Sequence, residues 1–292
     1  MSLRITPGLR FFSARRRMVA VRIEKVEVKG LEMKFILKEA SPAKANALRR
    51  AILTDVPTLA IDEVIFFENT TSFFDEYIAH RLGLIPLKAD ISSLNLPSEC
   101  ECGGGGCPKC TVVLNLDEKS DVDYRVIYSS SLKSSAPDVQ PVSPKIPIVT
   151  LMRGERLNLQ AVARLGTGRD HAKWQPVSTV SYKYMPIVTI DQEKCDSCGI
   201  CIQYCPKHVL AEENGRVVVR DLEECSLCKS CVRKCPRSAI EVEGDPTCFI
   251  FKLESVGAMP PKQIVEMALN ALVKKLEELK KYAKGILEAV VI

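Results

Sequence analysis

The segment CDSCGICIQYCP, residues 195–206, recurs 30 residues later as CSLCKSCVRKCP, residues 225–236. Each copy reads C-x2-C-x2-C-x3-C-P, and eight thiolates at that spacing hold two cubane iron–sulfur clusters. In two-cluster modules of this kind the fourth cysteine of each ladder serves the cluster of the other. The expected ligands are therefore Cys195, Cys198, Cys201 and Cys235 for one [4Fe-4S] cluster, and Cys205, Cys225, Cys228 and Cys231 for the second. One of the two could become [3Fe-4S] after oxidative loss of iron. Between the ladders, HVLAEENGRVVVRD suggests a hairpin turning at Asn214-Gly215, a dipeptide that accepts positive φ at both central positions.

The ladders are a small part of a 292-residue chain, long enough for two or three domains. Apolar content of 46% and charged content of 26% are ordinary for a globular protein. No apolar run approaches the roughly 18 residues of a membrane-spanning helix, so a soluble protein is expected. The net charge of +5 resides in the leader: Arg4, Arg10, Arg15, Arg16 and Arg17 face no acid, and the rest of the chain balances. Residues 1–18 read as a transit peptide, as a basic arm, or, the preferred reading, as a disordered or non-native tail ahead of Met18. A neutral body argues against direct nucleic-acid binding.

Of 13 cysteines, 12 fall into three groups of four with metal-ligand spacing, which favours a reducing cytoplasm. The third group, Cys100, Cys102, Cys107 and Cys110 in CECGGGGCPKC, suits a tetrahedral structural Zn2+, with disulfides or an empty loop as alternatives. Cys248, between bulky apolar neighbours, reads as a buried structural thiol.

Val19 to Glu39 suggests two strands turning at Lys29-Gly30, and Ser41-Pro42 starts a helix whose stripe is Ala45, Leu48, Ala51 and Ile52. Leu59 to Pro176 reads as short strands separated by turns, and Val177 to Ile190 as a further pair of strands. A long amphipathic helix is predicted from Pro261 to Lys284, with Ile264, Met267, Ala268, Ala271, Leu272, Leu276 and Leu279 on one face. A phosphate-binding G-x-x-x-x-G-K and a dinucleotide G-x-G-x-x-G are both missing. His80, His171 and His208 lack a paired carboxylate or thiol nearby in sequence, and surface hydrogen bonding is their expected role.

Four segments in order, SPAKANALRRAIL, YIAHRLGLIPL, RLGTGRDHAKWQPV and ESVGAMPPKQIVEMAL, resemble the D-type subunit family of archaeal DNA-directed RNA polymerase. That family is related to the third-largest subunit of eukaryotic RNA polymerase II and to the bacterial alpha subunit. The likeness covers Val19 to the C-terminus, and the C-x-C-x4-C-x2-C loop resembles the zinc loop of the eukaryotic relatives. Some archaeal members carry a ferredoxin-like insertion that bacterial alpha lacks.

The resemblance implies an α+β chain in three parts. A discontinuous dimerisation domain takes residues 19–56, 177–190 and 245–292, an inserted β-rich domain takes 57–176, and a ferredoxin-like domain takes 191–244. It implies that Ala45, Leu48, Ile52, Ile264, Ala268, Leu272 and Leu279 pack against the smaller subunit L, and that Arg49 and Arg50 lie near the second-largest subunit. The function so implied is a non-catalytic assembly subunit of DNA-dependent RNA polymerase, contacting small zinc-binding subunits as well. The competing expectation is an electron-transfer subunit of an oxidoreductase.

Overall fold

A computed structural model of the chain describes residues 20–290, with side chains through 286. The arginine-rich leader expected at 1–18 lies outside the described residues. Strands β1 (Arg22–Lys29) and β2 (Glu32–Lys38) form an antiparallel hairpin turning at Gly30 and Leu31. Helix α1 (Pro42–Thr54) follows, with the Ser41 hydroxyl accepting from the Lys44 N–H at 3.4 Å and proline in its first turn. It stops at Asp55, whose N–H donates to the Ala51 carbonyl at 2.9 Å.

Strand β3 (Pro57–Asn69) then enters a second unit containing α2 (Asp75–Gly83), β4 (Leu87–Lys88), β5 (Thr111–Lys119), β6 (Arg125–Tyr128), β7 (Lys133–Ser134), β8 (Gln140–Pro141), β9 (Pro147–Leu151) and β10 (Arg156–Thr167). Its main sheet has the order β3-β10-β5-β7, while β4 with β8 and β6 with β9 make small ribbons. Along β10 the alternate residues Leu157, Leu159, Ala161 and Ala163 are buried, as a sheet with one solvated face requires. Helix α2 corrects the expectation of strands and turns alone. It buries Ile78 and Leu82, and its Arg81 donates to the carbonyls of Pro147 at 2.6 Å and Ile148 at 2.9 Å.

The chain returns through β11 (Val177–Ile190), continues as α3 (Ile200–Gln203), β12 (Leu210–Glu213), β13 (Arg216–Val219) and α4 (Ser230–Lys234), and closes with β14 (Ile240–Ser255) and α5 (Pro261–Val290). The four-stranded antiparallel sheet runs β1-β2-β14-β11. Strand β11 is one element, not the expected pair, because Pro186 sits on an edge strand where a missing N–H is tolerated. The ferredoxin-like segment occupies the position of a hairpin loop between β11 and β14, leaving at Ile190 and returning at its partner Ile240. Strand β14 passes unbroken through residue 244, so a division at 244/245 falls inside one strand.

Helices α1 and α5 cover one face of this sheet over Phe35, Phe249 and Phe251, with Phe35 and Phe251 stacked at 4.9 Å. Ala45, Leu48, Ile52, Ile264 and Ala268 are at most 2% exposed inside this core. Their expected packing against a partner subunit is therefore corrected: they seal the chain's own helix–sheet interface. Leu272 is half-buried at the margin of that core, whereas Leu279 is 64% exposed, beside exposed Val273, Leu276, Tyr282 and Ile286 on the same helix. Arg50 is exposed, and Arg49 is half-buried with its guanidinium bonded to Asn46.

The segment RLGTGRDHAKWQPV locks the two units together. A Cβ at Gly166 would lie 2.4 Å from the Trp174 ring, and one at Gly168 would lie 2.0 Å from the Leu53 carbonyl. Trp174 donates its indole N–H to the Arg164 carbonyl at 3.1 Å. Asp55, its side chain 9% exposed, receives Arg169 at 2.9 Å from this loop and Lys275 from α5. Burial pushes its carboxyl up, but the bonds from Lys275, Thr54 and Arg169 outweigh that and hold it below the usual range.

A depressed carboxylate stabilises the fold at pH values above its unfolded value of about 3.9, and loses that contribution as pH falls through its lower folded value. Asp55→Asn should cost about 1–2 kcal/mol at pH 7. The gap between variant and parent, followed by denaturant unfolding, should stay level from pH 5 to 8 and close below pH 4.

Candidate metal centres

The loop before β5 draws four thiols to a point. Sulfur separations are 3.4 Å for Cys100–Cys102, 3.5 Å for Cys100–Cys107 and Cys102–Cys110, and 3.8 Å for Cys107–Cys110. A disulfide would bring sulfurs to about 2.05 Å. Four thiolates around one ion at about 2.3 Å sit about 3.8 Å apart. The donor set thus fits a single tetrahedral thiophilic ion and does not fit disulfides.

Gly103, Gly104 and Gly106 all have positive φ, which lets the backbone fold back within so few residues. A hydrogen bond from the Cys107 backbone N–H, joined by bonds from the neighbouring thiols, lowers Cys102 to about 5. At Cys100 the Cys102 backbone N–H favours the thiolate, but hydrogen bonds from Cys102 and the other thiols, with burial, push it up to about 12. Burial first, then Cys102, raises Cys110. The Cys102 thiolate therefore forms readily, whereas Cys100 and Cys110 give up protons only when a cation arrives.

The two ladders are arranged as a pseudo-symmetric pair. Positive φ occurs at Ser197 and Leu227, at Gly199 and Lys229, and at His208 and Ser238, each pair matched by the 30-residue repeat. These left-handed residues swing successive backbone groups and thiols toward a common centre. Burial pushes the Cys201 thiol up, and the charges facing it are those of Cys195 and Cys235. Burial also raises Cys231, which faces Cys205, Cys225 and Cys228. The fold thus brings each crossing cysteine beside the opposite ladder.

A cavity lined by Cys205, Cys225, Cys228 and Cys231 has Val188, Val209, Leu210 and Val242 as apolar walls. Among the described residues, the Cys100–Cys110 group is the one set whose ligand atoms all lie within 4.8 Å of one another. The ladder thiols are spread more widely, as a body larger than a single ion demands. Four soft thiolates around an apolar cavity fit an iron–sulfur cluster.

The RNA polymerase Rpb3/RpoA insert-domain family matches residues 64–191, and the 4Fe-4S dicluster-domain family matches residues 194–240. The DNA-directed RNA polymerase subunit Rpo3 of Archaeoglobus fulgidus is 45% identical over 264 residues, covering 90% of this chain and 98% of that protein. The chain belongs to the archaeal RNA polymerase subunit Rpo3 family. Rpo3 of Methanothermobacter thermautotrophicus is 44% identical, covering 87% of this chain and 96% of that protein. Rpo3 of Aeropyrum pernix is 34% identical, covering 90% and 94%.

His171 accepts from the Lys173 N–H at 3.0 Å, and His80 and His208 are exposed. Sequence reasoning missed the exposed apolar set Phe67, Phe73, Phe74 and Tyr77 around β3 and α2. It also missed lysines that face the second ladder. Neither group has a local motif, because their meaning depends on strands far apart in sequence.

Binding a divalent ion at Cys100, Cys102, Cys107 and Cys110 must displace protons from Cys100 and Cys110, so affinity should rise with pH. Competition against a chromophoric chelator should show Zn2+ affinity climbing by at least about tenfold per pH unit from pH 6 to 8. Cys102→Ser, which removes the most acidic thiol, should lower it throughout.

Proposed function

We propose that this chain is a non-catalytic assembly subunit of the archaeal DNA-dependent RNA polymerase, working in the cytoplasm. The observation that carries this reading is relatedness along nearly the whole length of proteins that are themselves Rpo3. The polymerase's nucleotide chemistry then belongs to other chains, and this one supplies a platform with no catalytic residue of its own. Among the described residues no helix is long and apolar enough to cross a membrane.

Subunit L docks on the outer half of α5, where Val273, Leu276, Leu279, Tyr282 and Ile286 are exposed on a helix already anchored by Ile264, Val265 and Ala268. An apolar stripe continuing past the chain's own core supports this docking. Arg49 and Arg50, at the surface of α1, are the contact toward the second-largest subunit, and small zinc-binding subunits attach elsewhere on the platform.

Cys195, Cys198, Cys201 and Cys235 hold one [4Fe-4S] cluster, and Cys205, Cys225, Cys228 and Cys231 the other; one of the two loses an iron to become [3Fe-4S] under oxidation. Cys100, Cys102, Cys107 and Cys110 hold a structural Zn2+. Bound clusters supply cross-links between the ladders and the capacity to take up one electron each. The unit has few apolar residues of its own, so its folding depends on metal.

Anaerobic purification from the native source, with iron, sulfide and zinc measured together, tests the whole reading: the large polymerase subunits should co-elute, and a flavoenzyme in their place would overturn it. Cys235→Ser should remove about half the iron, that of the first ladder's cluster, although it lies in the second ladder. Leu276→Asp with Leu279→Asp should weaken the pair with subunit L by about 100-fold or more. The isolated chain's circular dichroism should be unchanged, since both side chains are 64% exposed.

A further inference from the structure

The two ladders are close copies, yet among the described residues only the second is tied to the sheet by ion pairs. On the face opposite α1 and α5, Lys34 of β2 and Lys252 of β14 stand directly across from each other. Like charges so placed repel. Into this field the second ladder presents Glu223 and Glu224, the two residues before Cys225. Glu223 pairs with Lys25 at 2.7 Å and Lys34 at 2.9 Å, and Glu224 approaches Lys252 at 3.6 Å.

Lys183 of β11 completes the contact from inside. Its ammonium donates to the backbone carbonyls of Glu223 and, at 2.9 Å, of Cys225. The Lys183 side chain is half-buried, and a charge-assisted hydrogen bond shielded from water holds its acceptors more firmly. At the matched position of the first ladder, Glu193 is exposed, and Glu193 and Lys194 bond locally to Asp191. Two of the thiols facing Cys231, Cys205 and Cys225, are buried, whereas Cys195 and Cys235, which face Cys201, are half-exposed.

We infer that Lys183 is a positioning residue for the cluster of Cys205, Cys225, Cys228 and Cys231, pinning that ladder to the dimerisation sheet and placing one positive charge beside it. The inference rests on the ligand sets proposed above. The two clusters are therefore inequivalent. The second is the more firmly held, and its reduced form, which carries one more negative charge, is favoured by the nearby ammonium. Partners that orient a metal ligand without touching the metal change metal retention by about 10–100-fold.

The test uses the full chain, purified without oxygen, and its variants Lys183→Met, Lys183→Arg and Glu193→Gln. Iron release to a ferrous chelator is followed in time, and both clusters are titrated potentiometrically under electron paramagnetic resonance. In Lys183→Met, half the iron should leave about tenfold faster while the other half keeps its rate. One of the two midpoints should fall, Lys183→Arg should restore both readouts, and Glu193→Gln should match the parent. Equal acceleration of all the iron means general loosening and overturns the inference, as does a Lys183→Met protein with unchanged release and midpoints. A parent protein without two clusters overturns the ligand assignment itself, and the inference with it.

Discussion

Pairing of β11 with β14, from Val177 opposite Ser255 to Ile190 opposite Ile240, is the contact to which every other part of the molecule refers. It joins residues separated by the whole ferredoxin-like segment, so its cost in chain entropy is met only if that segment keeps its ends together. The backbone does so: the Asp191 N–H donates to the Ala239 carbonyl at 2.8 Å just beyond the last strand pair. Because closure entropy grows only slowly with loop length, a compact unit can stand where a short turn would otherwise be. The β-rich unit uses the same device between α1 and β11, and its exit loop is held back against α1 by the close approach of Gly168 to Leu53.

The inserted units differ in what holds them together. The β-rich unit has a large apolar core, from Leu59 through Leu165, and its thiol loop is peripheral to it. In the ferredoxin-like unit, Cys201, Cys205 and Cys225 are themselves core residues, joined by Val209, Leu210 and Val217. Ile240 and Val242 in that cluster belong to β14, so the unit borrows apolar surface from the sheet that carries it. Metal content and attachment to the sheet are thus linked physically.

Local chemistry made much of this legible in the sequence. Ser41-Pro42 and Asn214-Gly215 each specify backbone geometry within a few residues, and the structure follows them. The ladders' 30-residue repeat reappears as paired left-handed residues. What failed depended on tertiary context. The stripe of Ala45, Leu48, Ile52, Ile264 and Ala268 is apolar in sequence whether it meets this chain's own sheet or another subunit, and only the folded sheet shows that it is already covered. Val177 to Ile190 is one strand and not the expected pair, and the edge position that lets it run through Pro186 cannot be read from the sequence. The Lys183 contact has no motif, since it joins a strand to backbone carbonyls about forty positions away.

The sheet's two faces carry opposite chemistry at adjacent residues. Phe35 and Phe251 point into the helix-covered core, while Lys34 and Lys252, one position away on each strand, point to the cluster side. Alternation with a period of two makes this separation strict, and a slip of one residue would bury the lysines and expose the phenylalanines. The lysines therefore act on register as well as on attachment. With Glu223 and Glu224 in place their charge is neutralised, and the observed register combines that neutralisation with the stacked pair Phe35–Phe251. Helix docking on one face and ferredoxin docking on the other thus select the same strand pairing, each making the other more favourable.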